Sequence, residues 1–492
     1  MNFYFDAAKA LDKLNARQGS IKGVIGHLPE KDRKRGSALV IETLKYKDAL
    51  TEIINNSGLL KQEKQKINSM NLALLLVHDL LLSRGIQAGD GPIKQAILRH
   101  KTRLHAEFQK LKIKRGVKNT EDLAQAPDPR SALIPRYVRV NTLLWTVADA
   151  VSHFKRGGFV QENSPMNTPF AKKSFRIDDH VPDLLAFHPS VRFHDSELLA
   201  GGRIILQDKA SCFPAVALSP PAEDDACVID ATAAPGNKTT HLSALMQNRG
   251  KLFAFERDKK RFGTLRMMIG MAQCKNIEPI NADFLTTDPS DERFGRVTHI
   301  LLDPSCSGSG IVNRLDYLLD DTDVIEEQVN DGEDTRLAKL ASFQLMMIRH
   351  AMKFASVQKI VYSTCSVHEE ENEGVVTQAL SSPEALSGKF VLCPREYVLP
   401  SWPRRGLKEK LGADDADAVI RCSPDEDQTN GFFVSCFVRE SPSAVGKSSK
   451  RKRTSNDDPP TEKVTNEKTH PASNESQAKK KHKARKSKQL LG

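Results

Sequence analysis

The chain has 492 residues, of which 39% are hydrophobic and 27% charged, more than one ordinary core can hold; two or three domains and a tail are expected. Eight cysteines without a CxxC pair exclude a small disulfide framework and point to reduced thiols inside a cell. The formal charge of +11 is uneven: residues 441–492 carry 14 Lys and Arg against 5 Asp and Glu, a local +9 that leaves +2 for residues 1–440.

The opening residues show no basic start followed by an apolar stretch, so no secretory signal is visible. Residues 1–130 read as a helical domain, with Val40, Leu44, Ile53 and Ile54 at roughly helical spacing. The longest apolar run, "LALLLVHDLLL" at 72–82, is broken by His78 and Asp79 and is too short to span a bilayer. It reads as a buried bundle helix, and no membrane partner is expected. Residues 94–118 carry nine Lys and Arg and one acid, a helix that could follow a phosphate backbone; a merely solvated helix face fits the same pattern.

After the loop "AQAPDPRSALIPR", the alternation of "YVRVNTL" (137–143) predicts a strand, and "TVADAVSHFKRGGF" a helix ending at Gly157–Gly158. Residues 131–205 are therefore taken as a small α+β module. Residues 206–440 alternate strand and helix: "ACVIDA", "KLFAFE", "IEPINA", "VTHILLD" and "KIVYST" are apolar almost throughout, as in a parallel sheet covered on both faces. "GFFVSCFVRE" (431–440) would add the last strand. The tail 441–492 has almost no large apolar side chains and is expected to be disordered. Its clusters Lys450–Arg453 and Lys479–Lys488 suit a nuclear or nucleolar address, a polyphosphate contact, or simple solubility.

"VIDATAAPGNKTTHLSALM" (228–246) leads from a buried strand through a small-residue turn into a helix. Ala233, Ala234 and Gly236 allow close backbone approach, and the helix N-terminus offers N–H groups. GxGxxG and GxxxxGK[ST] are both missing, which argues against a dinucleotide and an NTP. Glu256 ends the next strand about 20 residues on, where an acid can accept hydrogen bonds from ribose hydroxyls. Asp283 and Asp303 end the two strands that follow. One such acid is usually a cap or a turn residue, but three over one crevice point to a nucleoside cofactor.

Cys306, in "DPSCSGSG", and Cys365, in "VYSTCS", occupy the same ligand-facing edge. Buried cysteine is ordinarily an inert small hydrophobe, the reading applied to Cys212, Cys227, Cys274, Cys393 and Cys436. No metal is expected, because further ligands at zinc spacing are not seen. A nucleoside cofactor with two thiols suits methylation at carbon 5 of a pyrimidine. A thiolate adding to carbon 6 turns the ring into an enamine that accepts the methyl, after which the C5 proton and the thiol leave. A carboxyl group such as Asp303 can assist at N3.

With these motifs assembled, the chain resembles the NOP/Sun-type RNA cytosine-5 methyltransferases, close to the branch acting on large-subunit ribosomal RNA. The resemblance spans roughly residues 135–440 and rests on "LQDKAS" (206–211), "ATAAPGNKT", "FERDKKR", "NADF", "LLDPSCSGSG", "VYSTCS" and "NGFFVSCF". It implies a Rossmann-like class I methyltransferase domain at 206–440 and an RNA-recognition-like module at 131–205. It implies that S-adenosylmethionine is held by Thr232, Ala233, Ala234, Pro235, Gly236, Asn237 and Lys238 with Glu256, Arg261, Asp283 and Asp303. It also implies Cys365 as nucleophile and Cys306 as the residue assisting product release, with RNA as partner and a nuclear, nucleolar location. Ser305 and Thr232 depart from many relatives, which have Pro and Cys there. The acidic stretch 316–336 is expected to be a mobile insertion or lid, and the oligomeric state is left open, a monomer being sufficient. A non-catalytic ribosome-assembly factor with the same fold is the alternative; a DNA cytosine methyltransferase would use the first cysteine.

Overall fold

The computed structural model describes residues 1–440 except 17, 20, 127, 166–167, 194, 314 and 320–325. The basic tail and the centre of the acidic 316–336 stretch lie outside the described residues, so the readings made of them stand as sequence expectations.

The N-terminal region is a bundle of α1 (Asn2–Asn15), α2 (Ile21–Ile25), α3 (Arg33–Lys45), α4 (Lys47–Ser57), α5 (Leu59–Gln62), α6 (Met70–Leu82), α7 (Pro92–Arg99) and α8 (Lys101–Lys114). Helix α1 buries Tyr4, Ala7, Ala8, Leu11 and Leu14, the i, i+3, i+4, i+7 stripe of an amphipathic helix. Helix α6 is the bundle's centre and is apolar nearly all round; the Ser69 hydroxyl caps it by accepting from the Leu72 N–H. The polar pair that interrupts its run is buried, and Asp79 accepts a 2.5 Å hydrogen bond from the Tyr4 hydroxyl. In the basic stretch 94–118, Lys94, Arg99, Lys110, Lys114 and Arg115 already face the carboxylates of Asp90, Glu63, Glu107 and Glu52. Much of its charge is thus met inside the domain rather than held for phosphates.

The α+β module consists of β1 (Arg136–Val140), α9 (Val147–Arg156), β2 (Val160–Gln161), β3 (Ser174–Ile177), β4 (Leu184–Phe187), the single turn α10 (Glu197–Ala200) and β5 (Ile204–Leu206), in sheet order β2-β3-β4-β1-β5. A capping box between Thr146 and Asp149 starts α9, and Gly157 ends it. One sheet face packs Val138, Val140, Phe175 and Phe187 against Phe154 of α9. The other face sends Tyr137, Leu184 and Ala186 into a core shared with Phe213 and Trp402 of the following domain. Both faces are covered, so bases cannot stack across the open sheet.

The third region comprises α11 (Lys209–Leu218), β6 (Cys227–Asp230), α12 (Asn237–Leu245), β7 (Lys251–Phe255), α13 (Lys259–Met271), β8 (Ile277–Ile280), β9 (His299–Leu302), α14 (Glu326–Ala351), β10 (Lys359–Thr364), α15 (Glu373–Leu380), β11 (Phe390–Leu392), β12 (Ile420–Cys422) and β13 (Phe432–Arg439). The sheet runs β11-β13-β10-β9-β6-β7-β8, with β12 paired to β13. Strands β6 to β10 are mutually parallel and β13 is antiparallel to β10. From β6 the chain moves outward to β7 and β8, then returns to the other side for β9 and β10. The crevice at this reversal, beyond the carboxyl ends of β6 and β9, is where such sheets bind ligands.

Candidate active site

Strand β6 ends on Asp230, whose carboxylate is buried and accepts hydrogen bonds from the Thr239 hydroxyl (2.7 Å) and the Thr232 N–H (3.2 Å). Burial pushes its pKa up to about 6. The turn after it is tied to both neighbours, the Ala231 N–H donating to the Leu301 carbonyl and the Ala233 N–H to that of Phe255. Gly236 has φ of +115°, and a Cβ there would stand 2.9 Å from Met268 Cβ. Its glycine serves the close packing of α12 on α13.

A cavity of about 580 Å³ opens at the strand ends, a size that suits a nucleoside. Thr232, Ala234, Pro235, Asn237 and Lys238 form its floor, while Ala233 and Gly236 stand outside its wall. Glu256 lies just beyond β7, is 5% exposed, and accepts from the Asp258 N–H at 2.8 Å. Arg261 donates to the Ala234 carbonyl at 2.7 Å and lies 3.5 Å from Glu256, so the guanidinium braces the turn as well as lining the cavity. Asp283 accepts from the Leu285 N–H and faces Arg257. Phe255, Phe284, Phe343 and Met347 complete this side. Carboxylates that can accept from ribose hydroxyls, beside apolar rings that can pack on a purine, are what a nucleoside needs, so these residues fit S-adenosylmethionine.

At the other side, Asp303 follows β9. One of its carboxylate oxygens accepts from Lys238 Nζ at 2.7 Å, the other from the Ser363 hydroxyl at 2.7 Å, and its N–H donates to the Thr232 hydroxyl. Lys238 Nζ also reaches Ser211 Oγ at 3.2 Å and lies over the Phe432 ring. Burial works against the ammonium, but Asp303 outweighs it and the pKa rises. Cys365 comes one residue after β10 and Cys306 three after Asp303; their sulfurs are 3.1 Å apart. The hydrogen bond to Cys365, with burial second, pushes the Cys306 thiol far up, so it keeps its proton.

The acidic cluster after Cys365 clamps the Cys306 loop. Glu371 is fully buried and accepts from the Ser307 N–H and from Gln344, whose amide also donates to the Ser305 carbonyl. Asn372 accepts from the Thr364 hydroxyl and donates to the Ser366 carbonyl, fixing the turn itself. Gly310 gives its N–H to the Cys365 carbonyl, and a Cβ on it would come within 2.3 Å of the Gly431 carbonyl oxygen. The six other cysteines are buried or half-buried and do not line the cavity.

Sequence reasoning left unassigned Gln207, Asp208 and Ser211 of "LQDKAS", Asn430 and Phe432 of "NGFF", and Ile311, Asn313, Phe343 and Met347, all of which line the cavity. Asp208 ties these pieces together, accepting from the Thr429 hydroxyl and from the amide of Asn430. The quoted motifs were the only signal for Gln207, Asp208, Ser211, Asn430 and Phe432, and the other four carried none. Among the described residues no group of three or more His, Cys, Asp or Glu could hold a metal, and no helix is long and apolar enough to cross a membrane.

Three family models match the chain: the N-terminal domain of NOL1/NOP2/Sun domain family member 5 over residues 34–124, the ferredoxin-like domain of the same family member over 134–207, and the 16S rRNA methyltransferase RsmB/F family over 215–438. The chain is 45% identical over 439 residues to the Schizosaccharomyces pombe 25S rRNA (cytosine-C(5))-methyltransferase rcm1, covering 88% of this chain and 90% of that one. It is 43% identical to a Mus musculus 28S rRNA (cytosine-C(5))-methyltransferase, covering 89% and 91%. The crystal structure of PH0851 shares the fold, with a TM-score of 0.55 at 20% identity over 84% of this chain and 91% of that one.

Proposed function

The chain belongs to the NOL1/NOP2/Sun domain family, and from that premise we propose that it methylates carbon 5 of a cytosine in large-subunit ribosomal RNA through a covalent Cys365 adduct. The observation that carries this reading is the meeting of Cys365, Cys306 and the Lys238–Asp303 pair in one cavity with the Glu256 and Asp283 carboxylates. S-adenosylmethionine would be held by the turn from Thr232 to Lys238 with Glu256, Arg261 and Asp283 and would supply the methyl group.

Lys238, half of a part-buried ion pair with Asp303, lies close enough to Cys365 for the two charges to interact, the kind of cationic neighbour that stabilises a thiolate. The Cys365 thiolate adds to carbon 6, and Asp303, oriented by Lys238 and Ser363, hydrogen-bonds at N3 as the ring gains electron density. Once the sulfur of Cys365 is bonded to carbon it can no longer donate to Cys306 and accepts only weakly, as a thioether. Cys306, whose sulfur stands 3.1 Å from that of Cys365 before the adduct forms, is placed to assist release of the methylated product. Loss of the C5 proton to solvent expels the Cys365 thiolate and restores the ring. A binding-only assembly factor would need neither sulfur at this edge. The two basic clusters in 441–492 support work in the nucleus, within the nucleolus.

Replacement of the two cysteines tests the reading. Cys365→Ala is expected to abolish transfer of labelled methyl to ribosomal RNA, and Cys306→Ala to accumulate a protein–RNA adduct that survives denaturing gel electrophoresis. Methyl transfer by Cys365→Ala would falsify the assignment, and bisulfite mapping of the RNA identifies the cytosine.

A further inference from the structure

We propose that Asn313 is an RNA-contacting residue at the mouth of the cavity, and that the N-terminal helical domain holds it in place through Leu318. The inference rests on the ribosomal RNA reading of the site and adds a specific contact to it.

Four carboxamides line the cavity: Gln207, Asn237, Asn313 and Asn430. Three are engaged within the protein. Gln207 accepts from Arg139 and donates to the Ser211 carbonyl; Asn237 donates to the Leu206 carbonyl; Asn430 accepts from the Val312 N–H and donates to Asp208. Asn313 alone of the four is exposed, and its carboxamide has no hydrogen-bond partner among the described residues. It stands on the loop that carries Cys306, on the opposite side of the sheet reversal from Glu256 and Asp283. A carboxamide offers a donor and an acceptor side by side, the pattern that matches the edge of an unstacked base.

The backbone around Asn313 is fixed from two directions. Upstream, the Gly310 N–H bonds the Cys365 carbonyl, the Gly310 carbonyl accepts from the Gly431 N–H, and the Val312 N–H bonds Asn430. Downstream, the chain leaves the catalytic domain and enters the core of the N-terminal bundle. Leu318, 2% exposed, belongs to that core; Leu315 and Leu319 pack against it, and the turn Asp316–Leu319 lies on α3. Asn313 is suspended between these anchors. A backbone anchored this way surrenders little freedom on binding, which is how an otherwise non-catalytic helical domain contributes to substrate recognition.

The test uses the full chain, a large-subunit ribosomal RNA fragment and three variants. Asn313→Ala is expected to lower kcat/KM for RNA about tenfold and to weaken RNA binding, leaving the dissociation constant for S-adenosylmethionine within about twofold of wild type. Leu318→Ala is expected to shift the same parameters the same way while its circular dichroism stays helical, and Leu318→Met to restore them. Combining Asn313→Ala with Leu318→Ala should cost little beyond the larger single effect, a non-additivity that plain loss of bundle stability would not produce. Unchanged RNA affinity and kcat/KM in Asn313→Ala, additive losses in the double variant, or a loss confined to the donor's affinity would each overturn the proposal. If the wild-type chain leaves the fragment unmethylated, the functional reading fails, and RNA affinity of Asn313→Ala against wild type still decides this inference.

Discussion

Asp230 shows what a single buried group contributes. Its carboxyl sits at the root of the cofactor turn with two hydrogen bonds, yet burial holds its pKa near 6, above the ordinary aspartate value. An acid whose folded pKa is raised contributes stability that is fully present below its unfolded value near 4 and is lost as pH rises through about 6. Between pH 5 and pH 7 that loss amounts to about 1 kcal/mol. Asp230→Asn should remove it, so the stability difference between variant and wild type, measured by urea unfolding, should move by about 1 kcal/mol in the variant's favour across that interval. An unchanged difference would show that the carboxyl titrates normally. Acids at strand ends were legible from the sequence because a strand's length and the residue after it share one pattern. The packing of Ala233 and Gly236 on α13 was not, since small residues in a turn read alike whether they face a ligand or a neighbouring helix. Asn313 was silent, because a loop carboxamide has no characteristic spacing, and Asn430 showed only through the quoted NGFFVSCF motif.

At the scale of elements, the stretch after β10 explains why an acid cluster follows the nucleophile. Glu371 accepts from the Ser307 N–H and the Gln344 amide, and Tyr362 donates to Gln344, so strand β10, helix α14 and the Cys306 loop are tied together. Glu371→Ala leaves the part-buried Ser307 N–H and the buried Gln344 amide without their acceptor, a cost of about 1–3 kcal/mol, and frees the loop that positions Cys306. The expected result is slower turnover with a persistent covalent adduct on a denaturing gel, weaker than for Cys306→Ala; Glu371→Gln, which keeps one acceptor oxygen, should fall between. Fast turnover without adduct in Glu371→Ala would show that the clamp is dispensable. The long parallel strands β6, β7, β9 and β10 were visible as apolar runs. Strands β2, β5, β11 and β12 were not, being two or three residues long and defined only by their partners.

Across the whole molecule, the α+β module and the methyltransferase domain share one core, and Arg139 shows how tightly. It leaves β1 with no exposed surface and donates to Gln207 at 2.8 Å and to Thr240 at 2.9 Å, with a longer bond to the Asn237 carbonyl, at the start of the helix that follows the cofactor turn. One of its terminal nitrogens has no partner, and His241 and Asp183 lie close enough to influence its charge. Burial opposes that charge and lowers the pKa, so the guanidinium is a costly but geometrically exacting bridge. The sequence offered no sign of this, because alternation in "YVRV" predicts an outward polar residue, whereas the second sheet face is covered by Phe213 and Trp402. Arg139→Ala combines a cavity with orphaned acceptors and should destabilise by about 3–5 kcal/mol. Arg139→Met fills most of the volume without a buried charge and should recover a good part of that loss, since an apolar replacement of a buried ion is often tolerated. Both should weaken S-adenosylmethionine binding alike, because neither holds the Asn237 carbonyl. Urea unfolding alongside calorimetric titration of the donor separates the two effects: full donor affinity in a stable Arg139→Met protein would mean that the module fastens the domains together without setting the cofactor turn.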